Sequence, residues 1–113
     1  MAREKRRFAR IGLPVGLSFR PESGRRWLPG TLTDLSAGGL RFVSPAPLED
    51  GSRVEFRITL PVRAAPYECA GVVLWEHVLG PRNVECGAAF VGVSAAKQAQ
   101  LDQLVVFVGQ RRG

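Results

Sequence analysis

The stretch RVEFRITL, residues 53–60, alternates apolar and polar side chains without interruption. Its apolar positions are Val54, Phe56, Ile58 and Leu60, and the positions between them are Arg53, Glu55, Arg57 and Thr59. Successive side chains of a β-strand point to opposite faces, so this period of two predicts a strand with one buried and one solvated face.

Similar segments lie on both sides of this strand and are separated by turn residues. Counted from the N-terminus, the predicted strands span residues 13–20, 27–36, 39–43, 53–60, 67–77 and 84–93. Pro29 and Gly30 interrupt the second of them, which indicates an edge or a bulge. The short connections favour antiparallel pairing, and closing six strands removes their exposed edges. The predicted fold is therefore mainly β, a six-stranded antiparallel β-barrel followed by a C-terminal α-helix.

The hydrophobic period changes after Ser94, which is a good residue for a helix N-cap. The apolar positions Leu101, Leu104, Val105 and Val108 then recur at the spacing of one helical face. Gly109 is a plausible end of this helix. We therefore divide the chain into a leader (1–12), a barrel with its helix (13–109, the helix at about 94–109) and a tail (110–113), and expect the helix to cover one barrel mouth.

The chain has 113 residues, the usual size of one domain, and a net charge of +6 that is unevenly distributed. Residues 1–26 hold eight Arg and Lys against two Glu, whereas residues 27–113 hold equal numbers of each sign. A basic cluster of this kind indicates a polyanionic partner such as a nucleotide, a nucleic acid or an acidic lipid surface. A solvated basic tail is the alternative.

Several functional classes find no support in the sequence. His77 is the single histidine, and neither a nucleophile–base pair nor a phosphate-binding loop is recognisable. Cys69 and Cys86 lack the spacing of metal ligands and are predicted to be reduced core residues. No apolar run is long enough to span a bilayer, and no secretory signal is apparent. We therefore expect a cytoplasmic protein that is not an enzyme, holds no metal and does not insert into membranes.

Two short stretches carry residues that suit anion binding. In KRRFAR, residues 5–10, arginine predominates, and its planar guanidinium can grip phosphate, bind a guanine edge or stack on a base. In TDLSAGG, residues 33–39, Asp34 and Ser36 alternate, and two glycines permit a close approach. The carboxylate can accept from guanine or hold an arginine in place. A flexible leader and an ordinary turn remain the alternatives for each stretch alone.

Taken together, the two stretches resemble the signature of the PilZ domain family. Arg6-x-x-x-Arg10 matches the RxxxR motif of the family, and Asp34-x-Ser36-x-x-Gly39 matches its [D/N]xSxxG motif. The resemblance extends along nearly the whole chain, through the GVVLW and CGAAF segments to the helix. It implies a barrel of about six strands followed by a helix, and binding of the bacterial second messenger cyclic di-GMP.

The resemblance also implies a set of ligand-binding residues. The expected cyclic di-GMP site comprises Arg6, Arg7, Arg10, Asp34, Ser36, Gly38 and Gly39, with Lys5 and Trp75 as additional candidates. Arg6 and Arg10 would clamp phosphate and guanine, and Asp34, Ser36 and Gly39 would form the opposing wall. Trp75 would either stack on a base or belong to the core or rim.

The function implied is that of a cyclic di-GMP receptor or adaptor. Its leader would fold over the ligand and present a new surface to a downstream protein, and it would need no cofactor. A PilZ-like protein-interaction module that binds no nucleotide is the first alternative. A basic barrel that binds nucleic acid is the second, and it is disfavoured because the strands lack an exposed row of aromatic residues.

Overall fold

A computed structural model describes residues 9–10, 16–22, 24–59 and 65–111, with the backbone alone for residues 9–10 and 107–111. The elements in chain order are β1 (Ala9–Arg10), β2 (Gly16–Pro21), β3 (Leu28–Leu35), β4 (Gly39–Ser44), β5 (Arg53–Thr59), β6 (Tyr67–Gly80), β7 (Asn83–Val91) and α1 (Ala95–Arg111). Strands β2–β7 pair in the order β3-β2-β5-β6-β7-β4, and β4 pairs back with β3. The six strands therefore form a closed antiparallel barrel, as predicted, and β1 adds two residues to β3.

The alternation in residues 53–60 has the predicted consequence for burial. Val54, Phe56 and Ile58 of β5 are completely buried, whereas Leu60 lies outside the described residues. The ring of Phe42 contacts those of Phe19 and Phe56, with centroid distances of 5.1 Å and 5.3 Å. Tilted and edge-on aromatic contacts of this kind stabilise a core beyond the area they bury. One face of every barrel strand thus contributes to a single core.

Strand β3 is shared between two neighbours, so Pro29 and Gly30 lie at a local edge, one of the two predicted possibilities. Residues 28–30 pair with β2, and the strand then pairs with β4 from Thr31 onward. The register shift lies between Leu32 and Asp34 instead. Pro29 is tolerated because this part of β3 pairs with β2 alone and forms an edge on the side of β4.

Helix α1 begins as predicted and ends later. The backbone N–H of Lys97 donates to Oγ of Ser94 at 3.1 Å, which is the bond of an N-cap. Leu101 and Leu104 are buried against the barrel, and the side chain of Val108 lies outside the described residues. The helix continues through Gly109 to Arg111. A glycine inside a helix costs only about 1 kcal/mol, so it does not end a helix by itself.

The remaining limits of the domain division stay predictions, because residues 1–8, 11–15 and 112–113 lie outside the described part of the chain. Within the part that the structure does describe, no helix is both long enough and apolar enough to cross a membrane.

Candidate functional site

A row of register partners crosses five strands of the sheet. Arg10 of β1 is the partner of Asp34 of β3, and Asp34 is the partner of Arg41 of β4. Arg41 is the partner of Gly87 of β7, and Gly87 is the partner of Trp75 of β6. Register partners are neighbours across a sheet, so the pairing places positions as distant in the sequence as 10 and 87 in one line. We call this line the Arg10–Trp75 row.

The neighbouring row explains why the Arg10–Trp75 row lies outside the core. One position along β3, β4 and β7, Leu35 is the partner of Leu40, and Leu40 is the partner of Ala88. Ala88 in turn pairs with Val73, which lies two positions from Trp75 because the register of β6 shifts between them. All four side chains of this neighbouring row are buried. Because side chains alternate along a strand, positions 34, 41 and 87 face outward. Trp75 follows the register shift of β6, where Leu74 and Trp75 are both exposed. Strand alternation, together with the register shift of β6, therefore places the Arg10–Trp75 row outside the core.

Asp34 and Arg41 form an ion pair within the row. Nη2 of Arg41 donates to Oδ2 of Asp34, and the side chains are 33% and 12% exposed for Arg41 and Asp34 respectively. The hydroxyl of Thr33 donates to the backbone carbonyl of Arg41 at 3.1 Å and ties the same two strands together. The carboxylate of Asp34 thus holds an arginine in place, one of the two roles that the sequence left open.

Arg41 itself was missed by the sequence analysis. It occupies the single polar position in the run Leu40-Arg41-Phe42-Val43, and a charged residue between buried apolar neighbours must face outward. That alternation was a usable signal for its orientation. Its pairing with Asp34 depends on the register between β3 and β4, which the local pattern does not encode.

Ser36 closes the turn between β3 and β4. Its hydroxyl accepts from the backbone N–H groups of Gly38 at 3.3 Å and Gly39 at 3.1 Å, and it donates to the carbonyl of Gly39 at 3.2 Å. The backbone N–H of Ser36 donates to the same carbonyl at 2.9 Å. Ser36 therefore organises the turn that carries the glycines, as in an ordinary serine turn, while it also borders the pocket described below.

The two glycines of this turn differ in their surroundings. A β-carbon at Gly39 would lie 2.2 Å from the backbone oxygen of Ala88, so only glycine allows β4 and β7 to approach this closely. A β-carbon at Gly38 would meet no atom within 4 Å. Gly39 is therefore required by strand packing, whereas Gly38 is an exposed backbone segment.

A pocket of about 270 Å³ lies over the end of the Arg10–Trp75 row that comprises Arg41, Gly87 and Trp75. Its walls are Ser36, Gly38, Gly39, Leu40, Arg41, Leu74, Trp75, Gly87, Ala88 and Ala89. Trp75 is 37% exposed, so it belongs to the rim of the barrel and not to its core. Four of the predicted site residues (Ser36, Gly38, Gly39 and Trp75) thus line one pocket. Asp34 forms an ion pair with Arg41, which also lines it.

Most of the predicted basic residues of the site lie outside the described residues. Lys5, Arg6 and Arg7 all lie there, and for Arg10 the structure describes the backbone only. The backbone of Arg10 is paired with that of Asp34, the first residue of the second motif. The two motifs therefore meet at this one point in the described structure.

Among the described residues, the two thiols are both shielded from ionisation. Burial raises the pKa of Cys69 to about 11, against the opposing charge of Lys97, and burial raises that of Cys86 to about 11 as well. Thiols with such a pKa are poor nucleophiles at neutral pH. Both cysteines are free, Cys86 is fully buried and Cys69 is half-buried. Among the described residues, no three His, Cys, Asp or Glu side chains cluster as metal ligands would.

Comparison with protein families identifies the architecture. The family model described as "PilZ domain" matches residues 4–107 of this chain. The chain belongs to the PilZ domain family. The resemblance drawn from the two motifs is therefore confirmed, together with the barrel and helix that it implied. A comparison with curated protein sequences found no match.

Solved structures of PilZ proteins share the fold at low sequence identity. The PilZ domain with c-di-GMP of YcgR from Escherichia coli is 18% identical with a TM-score of 0.72, over 96% of this chain and 94% of that chain. MrkH from K. pneumonia is 12% identical with a TM-score of 0.74, over 100% of this chain and 54% of that chain. The Bacillus subtilis inhibitor of motility, MotI/DgrA, is 17% identical with a TM-score of 0.67, over 96% and 53%. This PilZ chain thus spans about half the length of the last two proteins.

Proposed function

We propose that this PilZ domain is a receptor for cyclic di-GMP. The observation that carries the proposal is the Arg10–Trp75 row, because it brings the RxxxR strand, the Asp34 turn and an aromatic rim residue into one line. Membership of the PilZ family and the fold shared with the c-di-GMP-bound domain of YcgR support the same ligand.

The chemistry of the pocket suits a guanine dinucleotide. The exposed indole of Trp75 offers a face for stacking on a base, and arginine from the leader offers paired donors for phosphate or for a guanine edge. The exposed backbone at Gly38 lets a ligand approach the turn closely. In this proposal Arg6 and Arg10 are the main clamps, Arg7 assists them, and Lys5 adds positive charge at the entrance.

The charges near the pocket also favour an anion. Arg41 neutralises the carboxylate of Asp34, so the carboxylate opposes a phosphodiester less than an isolated charge would. The leader contributes most of the net charge of the protein, and opposite charges raise both the rate and the strength of binding. A ligand with two phosphodiester groups and two guanines uses both features, whereas a simple acidic surface uses only the charge.

The signalling step of the proposal concerns the leader. Ordering the leader against the ligand costs conformational entropy, which the arginine contacts must offset. The ordered leader would then form part of a surface that a downstream protein recognises. In this proposal the domain acts as an adaptor without chemistry of its own and needs no cofactor besides the ligand.

Isothermal titration tests the proposal, with cyclic di-GMP as ligand and with GTP and a short RNA as controls at physiological salt. We expect saturable binding of cyclic di-GMP only. Arg10→Ala should weaken this binding by about 1.5–3 kcal/mol, the range for a charge-assisted hydrogen bond. Arg25→Ala is the matched control, because Arg25 is an exposed arginine in the β2–β3 connection, at the opposite end of β3 from Asp34.

Two results would contradict the proposal. Absence of heat with well-folded protein would favour the protein-interaction module without nucleotide. Equal loss of affinity in the Arg10 and Arg25 variants, with RNA binding as well, would favour a nonspecific basic surface, whose affinity falls steeply with salt.

A further inference from the structure

One side chain joins helix α1 to the turn between β3 and β4. Nε2 of Gln98 donates to the backbone carbonyl of Ala37 at 3.0 Å and to Oδ1 of Asp102 at 3.0 Å. A carboxylate only accepts hydrogen bonds, so Asp102 orients the amide of Gln98 with its NH₂ group toward the turn. The two residues lie on neighbouring turns of the helix, where positions four apart face one another.

The contact with Gln98 differs from the other anchors of this turn. The carbonyl of Gly38 accepts from the backbone N–H of Phe90 at 2.9 Å, and the carbonyl of Gly39 accepts from that of Ser36. Both anchors are backbone groups of the barrel or of the turn itself. Within the described part of the chain, the bond from Gln98 to Ala37 is the hydrogen bond that connects the turn to the helix.

The peptide unit between Ala37 and Gly38 provides a physical route between pocket and helix. Its carbonyl is held by Gln98, and its N–H, on Gly38 at the pocket wall, makes only a long bond of 3.3 Å to Oγ of Ser36. When the N–H of a peptide donates to a strong acceptor, its carbonyl becomes a better acceptor in turn. An anionic ligand at Gly38 would therefore strengthen the bond to Gln98.

Helix α1 is suited to respond to such a change. Within residues 95–106, its fully buried anchors are Leu101 and Leu104. The helix also contacts β1, the strand that contains Arg10. Elements with few buried anchors open most readily, so one additional hydrogen bond has a measurable effect on their opening.

We propose that occupancy of the Ser36–Gly39 turn and docking of helix α1 are coupled, and that Gln98 is the positioning residue that couples them. The proposal rests on the proposed function for the identity of the ligand, but the bond from Gln98 to the turn, which carries the coupling, is present without ligand. By reciprocity, a ligand that favours the docked helix binds more tightly when the helix is docked.

The experiment compares Gln98→Met with Gln103→Met in the full chain. Methionine keeps the length and helix propensity of glutamine and removes its donor, and Gln103 is an exposed glutamine of the same helix. Amide hydrogen exchange of residues 36–39 and 95–106 is followed with and without cyclic di-GMP, and the affinity is measured by titration.

Without ligand, we expect Gln98→Met to speed exchange at the turn about fivefold relative to Gln103→Met, the factor of one neutral hydrogen bond. With ligand, exchange in α1 should slow in the wild type and in Gln103→Met, but not in Gln98→Met. The affinity of Gln98→Met should fall by the same factor by which the ligand slows exchange in the wild type. Equal turn exchange in both ligand-free variants would overturn the coupling. So would ligand binding that leaves exchange in α1 unchanged. Failure of the wild type to bind would instead refute the proposed function, and the ligand-free comparison would still decide the coupling.

Discussion

Gly87 and Trp75 are register partners on β7 and β6, and the indole of Trp75 lies against the backbone of Gly87. A β-carbon at position 87 would lie 2.3 Å from both Cε2 and Nε1 of the ring. The absence of a side chain at Gly87 therefore sets the height of the indole above the sheet. It also places the ring beside Arg41, which is the register partner of Gly87 on its other side.

The first prediction concerns this contact. Gly87→Ala should displace the indole and weaken binding of cyclic di-GMP about tenfold, because stacking on a base contributes about 1–3 kcal/mol. Gly80→Ala is the matched control, since a β-carbon there meets no atom within 4 Å. The position of the ring is followed by tryptophan emission in a Trp27→Phe background. Unchanged emission and affinity in Gly87→Ala would show that the ring does not depend on this glycine.

The two glycines of the turn should respond differently to alanine. Gly39→Ala should lower the free energy of unfolding by about 1–3 kcal/mol or more, because its β-carbon would collide with the rigid backbone oxygen of Ala88. Gly38→Ala should change it by no more than about 0.5 kcal/mol, since the space is open. Urea denaturation of both variants measures the difference. Similar losses at the two positions would contradict the close approach of β4 and β7.

The ion pair of Asp34 should stabilise the barrel more than an exposed pair does. Asp34→Asn should lower the free energy of unfolding by about 1.5–3 kcal/mol, because it weakens a charge-assisted bond to Arg41 at a side chain that is only 12% exposed. Glu68→Gln removes the carboxylate from the pair with Arg57, whose side chains are 43% and 59% exposed for Arg57 and Glu68, and should cost at most about 1 kcal/mol. If urea denaturation gave equal losses of unfolding free energy for the two variants, the Asp34–Arg41 pair would be as solvated as the Arg57–Glu68 pair.

The buried thiol of Cys86 should make the free energy of unfolding fall at alkaline pH. Burial is the main reason that the pKa of Cys86 rises from 9.0 to about 11, and the charge of Glu76 adds to it. A raised pKa means that the folded state holds its proton more tightly, so this stability is complete below pH 9 and is lost as the pH rises toward 11. Denaturation of the wild type and of Cys86→Ala across this range isolates the contribution of the thiol. Parallel pH profiles would show that Cys86 does not contribute.

Local sequence patterns were enough to predict the elements and the faces that they bury. The alternation in β5 predicted which side chains are buried, and Ser94 with the leucine spacing predicted the start of α1 and the side it packs on. These features follow from local periodicity and from capping chemistry, which need no knowledge of distant residues. The paired motifs predicted the family for the same reason, since each motif is a short local pattern.

The contacts between distant positions, in contrast, follow only from the three-dimensional fold. The pairing of Asp34 with Arg41, the contact of Trp75 with Gly87 and the bond from Gln98 to Ala37 all depend on strand register or helix docking. A shift of one residue in register would move every side chain of a strand to the other face, and local patterns alone do not specify the partner strand. These long-range pairings form the pocket. Its residues could be proposed one by one from the sequence, but only the closed barrel brings them together.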